Sequence, residues 1–154
     1  MSGGWRVDRD GSTSHRGLMK QYVMALNARS RSLPLAEICR RMGAEPSPDS
    51  CEKGDLDARG GLCFIATFWR LDSEAGDEAT VEEHCRSLRT KLPPGHPPLH
   101  AEPGGDLEVW LSIGVLYDTY TVSVVLPAAL VALACDLGAT VEVSCYPTSF
   151  DECG

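Results

Sequence analysis

The chain has 154 residues, 43% of them apolar and 23% charged, with a formal net charge of −8. That length can bury one core without disulfides or metals, and the composition excludes a disordered or fibrous chain. The longest apolar stretch, Val122 to Cys135, is broken by Ser123 and Pro127 and falls short of the roughly 20 residues that span a bilayer, which excludes a helical membrane protein.

Residues 1–19 are rich in Gly, Ser, Arg and Asp and read as a flexible basic arm. They hold no apolar run of the about 7–15 residues a secretory signal requires, so a cytoplasmic protein is expected. A single α+β domain is expected over residues 20–147, with a polar tail at 148–154.

The domain opens with Gln21 to Arg29, where Tyr22, Met24, Leu26 and Ala28 fall on one face of a strand. Ser32 then stands as an N-cap before Leu33-Pro34, and Leu35, Ile38 and Met42 mark a helix of two to three turns stopped by Gly43. Turn residues at 45–49 lead into an irregular loop over 50–61 that carries Lys53-Gly54-Asp55. Leu62 to Leu71 is apolar on both faces, which predicts an interior strand with Trp69 in the core.

Thr80 and Glu83 have the spacing of a capping box, and Val81, Cys85, Leu88 and Leu92 form one face of the helix that follows, ended by Pro93-Pro94. After a Pro/Gly loop, Leu107, Val109, Leu111, Ile113 and Val115 alternate with polar partners as a strand buried on one face. Periodicity leaves open whether Tyr120 to Val125 prolongs it or forms a separate strand. Leu126-Pro127 opens a third helix with Leu130, Leu133, Ala134 and Leu137 inward and Gly138 as its stop. Thr140 to Tyr146 closes the domain as a strand with Val141, Val143 and Cys145 inward.

A strand, Leu-Pro, a helix and Gly-Ala occur in that order at both ends of the domain, the pattern of a weak internal duplication. The predicted architecture is a ferredoxin-like α+β sandwich: one mainly antiparallel sheet with about three helices on one face.

These segments together resemble a widespread, mainly bacterial family known as domain of unknown function 4279. The likeness lies in Met42-Gly43-Ala44-Glu45-Pro46, Lys53-Gly54-Asp55, Trp69-Arg70-Leu71-Asp72-Ser73, Leu126-Pro127, Leu133-Ala134, Leu137-Gly138 and Ser144-Cys145-Tyr146, and covers residues 21–147. The resemblance implies a bacterial source and a fold, and no activity.

The seven cysteines are odd in number and have no secretory context, so reduced thiols are expected, with Cys39, Cys63, Cys85 and Cys145 acting as small apolar groups inside elements. Cys51 and Cys153 lie in loop-like or terminal segments, and Cys51 beside Lys53 would be reactive if exposed with a lowered pKa. His96 and His100 sit among prolines that forbid a shared helical face, and no further ligand completes a metal set. His84-Cys85 are helix neighbours that point about 100° apart, which places Cys85 in the core and His84 at its rim. No phosphate-binding glycine loop or nucleophile elbow is present. No catalytic residue, metal or cofactor is therefore assigned, and the balance falls on the non-enzymatic side.

Charge is divided unevenly: residues 1–41 carry +5 and residues 42–154 carry −13, with no basic residue beyond Lys91. An acidic half disfavours nucleic acid and attracts a basic protein, the alternative being that the two halves of one domain neutralise each other. Asp106, Glu108 and Trp110 share the outward face of the third strand, and Glu142 lies outward on the last. These four are the candidate partner-binding residues of an interaction module, an immunity or regulatory protein in type. A second layer over that face, a helix or the basic arm, is the competing arrangement for Trp110. The alternative function is an enzyme or small-ligand binder with a pocket between the sheet and loops 50–61 and 93–105. A third places Arg6, Arg9 and Arg16 on nucleic acid.

Overall fold

The computed structural model describes residues 20–95, 105–118 and 122–148. The basic arm, His96, His100, Tyr120 and Cys153 lie outside them. In chain order the elements are β1 (Lys20–Ser30), α1 (Leu35–Met42), β2 (Thr67–Asp72), α2 (Val81–Lys91), β3 (Glu108–Tyr117), α3 (Ala128–Leu137) and β4 (Thr140–Pro147).

Alternation along β1 and β3 decides the layering. Met24, Leu26 and Ala28 of β1 lie opposite Ile113, Leu111 and Val109 of β3, and all six are buried. With Trp69 and Leu71 of β2 they form one core with Ile38 and Met42 of α1, Val81, Cys85 and Leu88 of α2, and Leu130, Leu133 and Leu137 of α3. Because all three helices join the core through this side of the sheet, no described helix covers the other side.

The four strands run in the order β2-β1-β3-β4, antiparallel at β1–β2 and β1–β3 and parallel at β3–β4. The expected α+β sheet with three helices is present, but the sheet is mixed. Its one parallel pair has a simple cause. Only Gly138 and Ala139 separate α3 from β4, so the chain that returned along α3 starts β4 from the end where β3 began. The long segment between Gly43 and Thr67 instead carries the chain to the opposite end, and β2 enters antiparallel to β1.

The two Leu-Pro…Gly-Ala units match locally. Pro34 (φ −72°, ψ 160°) and Pro127 (φ −69°, ψ 157°) are the N-caps of α1 and α3, while Gly43 (φ 66°) and Gly138 (φ 63°) end them in the left-handed region. Ser32 is not the cap of α1. Its hydroxyl donates to Asp106, and Pro34 begins the helix without a side-chain cap. The predicted capping box of α2 is complete: Glu83 N–H donates to Thr80 Oγ1, and Thr80 N–H donates to the Glu83 carboxylate at 2.7 Å.

The segment Leu62–Leu71 departs most from expectation. Only Thr67–Asp72 is strand, and β2 is an edge strand. Leu62 and Ile65 are exposed on a hairpin-like excursion whose arms meet at Cys51–Phe68 and Leu56–Cys63. A two-faced apolar run reads as an interior strand, but here one face holds the core and the other lines an open concavity. The loop over 50–61 is irregular as expected, apart from the two isolated bridges at Cys51 and Leu56 through which it meets the other arm. β4 is the other edge, and of its inward residues only Val141 packs on the core, while Val143 and Cys145 are exposed. β3 ends at Tyr117, and residues 122–127 are not strand.

Candidate functional site

The side of the sheet away from the helices carries a concavity of about 460 Å³. Strand register builds it row by row. Arg29 lies between Phe68 and Glu108, and Asn27 lies between Arg70 and Trp110. Ala25 lies between Asp72 and Ser112, with Glu142 beyond Ser112. Val23, Gly114 and Ser144 form the next row, and Leu116 and Tyr146 close it. A Cβ at Gly114 would sit 3.7 Å from the Tyr146 ring and from Val23 Cβ, an ordinary contact distance, so the tyrosine packs beside this part of the backbone.

The aromatic wall is the pair Phe68 and Trp110, whose ring centroids are 5.9 Å apart at 45°. The Arg29 guanidinium lies 5.8 Å from the Trp110 centroid and is paired with the Glu108 carboxylate. Arg70 donates to Asp72 at 2.6 Å. Each arginine of this face thus has a carboxylate of its own.

Asn27 is the unusual residue. It is 1% exposed although no described helix covers it, because its own row encloses it. Its Nδ2 donates to Ser112 Oγ at 2.9 Å and faces the carbonyls of Ala25 and Trp110 at 3.4 and 3.5 Å. Two carbonyl oxygens on that side fix the amide orientation, since an amide oxygen turned toward them would be repelled. Oδ1 is therefore the remaining acceptor, and it is buried without a hydrogen-bond partner. A buried amide oxygen left unpaired costs on the order of 1–3 kcal/mol, a cost that a donor reaching it would relieve.

Of the four residues singled out from sequence, two line the concavity and two have intramolecular partners. Trp110 and Glu142 belong to its lining, and Glu142 is exposed. Glu108 pairs with Arg29. Asp106 lies just ahead of β3 and accepts hydrogen bonds from Ser30 Oγ, Ser32 Oγ and the Arg31 backbone N–H. Those donors, led by Ser30 and Ser32, hold its carboxyl at a pKa of about 2, so it clasps the end of β1. Sequence reading missed Asn27, Phe68, Arg70 and Tyr146. An asparagine within an otherwise apolar strand was the available signal, because Asn disfavours strands unless something holds it there.

The other candidates have structural places. His84 is 2% exposed and not at the rim as expected, and its Nδ1 is 2.8 Å from Ser73 Oγ. Cys85 beside it is in the core. Only Cys85 of the four cysteines expected inside is buried; Cys39 is half-buried, and Cys63 and Cys145 are exposed. Burial pushes the Cys51 thiol up, against the activated thiol that Lys53 suggested. Among the described residues, no three His, Cys, Asp or Glu side chains gather in a way that could hold a metal, and no helix is long and apolar enough to cross a membrane.

Comparison with known proteins adds one match: the profile of the domain of unknown function DUF4279 covers residues 20–148. No curated protein and no solved structure matches.

Proposed function

Since the chain belongs to the DUF4279 family, whose description assigns no activity, we propose that it is a non-enzymatic protein-interaction module that binds through the sheet face away from the described helices. The observation that carries this reading is the concavity there, walled by Phe68 and Trp110 and floored by the unpaired Asn27. Aromatic and arginine side chains around a desolvated polar centre are the composition of an interface core. The net charge of −8 favours a basic partner, as an immunity or regulatory protein would have. The six thiols found free in the described residues, several of them exposed, fit a reducing compartment such as the cytoplasm.

The test is affinity capture from the source organism with the wild-type chain and with a Phe68→Ala/Trp110→Ala double variant of confirmed fold. A basic protein retained by the first and lost by the second is the expected result. Equal retention by both would overturn the assignment of the face.

A small-ligand binder is the second reading, favoured by one observation: about 460 Å³ lies within the usual range of small-molecule sites. Its location would be this face; the pocket expected between the sheet and loops 50–61 and 93–105 involves residues 96–104, which lie outside the described residues.

A further inference from the structure

The sheet face away from the described helices can be read for the charge of what it accepts. Its two arginines are neutralised locally, Arg29 by Glu108 and Arg70 by Asp72. Asn27 has spent its amide hydrogens on Ser112 and the flanking carbonyls, which leaves only an acceptor. Glu142 stands next to Ser112 in the parallel register, exposed and in no ion pair among the described residues. The unmatched groups thus include the Asn27 amide oxygen and the negatively charged Glu142 carboxylate, bordered by the Trp110 and Tyr146 rings. Both arginine charges are already balanced by carboxylates, so an anion or a nucleic-acid backbone would find no net positive charge here. A cation carrying several N–H groups matches the Asn27 oxygen and the Glu142 carboxylate at once.

We propose that the concavity receives a lysine or arginine side chain of a protein partner, its N–H groups donating to Asn27 Oδ1 and the Glu142 carboxylate and its stem lying against Trp110 and Tyr146. This rests on the interaction-module reading and specifies the chemistry of the partner's anchor. The cationic group restores a hydrogen bond to Asn27 only as the partner docks, so basic residues lacking the reach or the shape of the groove gain little from Glu142 alone.

The experiment is an amide and side-chain NMR titration of the ¹⁵N-labelled full chain with blocked Gly-Gly-X-Gly-Gly peptides, X being arginine, lysine, citrulline or glutamate. The arginine or lysine peptide is expected to shift the Asn27 side-chain amide, the Trp110 indole N–H and the Gly114 amide with millimolar affinity, while citrulline and glutamate leave them unmoved. Glu142→Gln, an exposed substitution that leaves the core untouched, is expected to weaken binding of the cationic peptide at least fivefold. Equal shifts from citrulline, preferential binding of the glutamate peptide or of a single-stranded oligonucleotide, or no effect of Glu142→Gln would each overturn the proposal. If a captured partner is still lost on Phe68→Ala/Trp110→Ala while no cationic peptide binds, the anchor chemistry fails and the interaction face stands.

Discussion

His84 shows how one buried side chain sets a pH limit on the whole molecule. Its burial lowers the imidazole pKa below the ordinary value, so the folded chain keeps it neutral beside Ser73. In the unfolded chain it titrates near 6.5, roughly the free value. Above that pH neither state binds the proton and His84 contributes no pH dependence. As pH falls below about 6.5 the unfolded chain takes up a proton that the folded chain refuses, and stability is lost until the folded pKa is passed. Urea midpoints measured between about pH 7.5 and 5 are expected to fall in the wild type and to fall less steeply in His84→Gln. Parallel slopes in the two proteins would remove His84 as the cause.

At the scale of elements, α1 and α3 take their ends from the same pair of signals, a proline that starts and a left-handed glycine that stops. Neither start has a side-chain cap, so the glycines matter more. Gly43→Ala and Gly138→Ala each force a Cβ into the left-handed region and are expected to cost about 1–2 kcal/mol. Thr80→Ala, which opens the capping box of α2, is expected to cost about 1 kcal/mol. Urea unfolding with an unchanged slope is the measurement, and a glycine variant as stable as the wild type would contradict this account of the helix ends.

These helices were legible because their signals are local: proline, glycine and the Thr80–Glu83 spacing all act within a turn or two. The sheet was legible only in part. Alternation identified the buried faces of β1 and β3, but nothing in Leu62–Leu71 says that its apolar residues divide between an edge strand and an exposed hairpin. The candidate site was less legible still. Trp110 stood out as a large ring on a polar face, whereas Asn27 acquires its meaning from Ser112, 85 residues away, through a register that the sequence leaves open. Asp106 looked like a free surface acid because its partners, Ser30 and Ser32, lie 76 and 74 residues away in the chain.

For the molecule as a whole, the distribution of thiols across the layers gives a readout of the native state. Cys63, Cys135 and Cys145 are exposed, Cys39 and Cys51 are half-buried with pKa values raised by burial, and Cys85 is in the core. Brief alkylation of the native protein followed by peptide mass spectrometry is expected to label the first three ahead of Cys39 and Cys51, with Cys85 modified only on unfolding. Early labelling of Cys85 would place α2 away from the sheet.

The ten-residue pairing of β1 with β3 has a further consequence for how the chain is made. Arg29 meets Glu108 across 79 positions of sequence, so the first strand synthesised cannot complete the central seam until most of the chain has left the ribosome. At translation rates of roughly 5–20 residues per second that wait lasts on the order of 4–16 seconds. Throughout it, Met24, Leu26 and Ala28 face the cell without the strand that will cover one edge of β1, and nascent-chain chaperones have their opportunity in that interval.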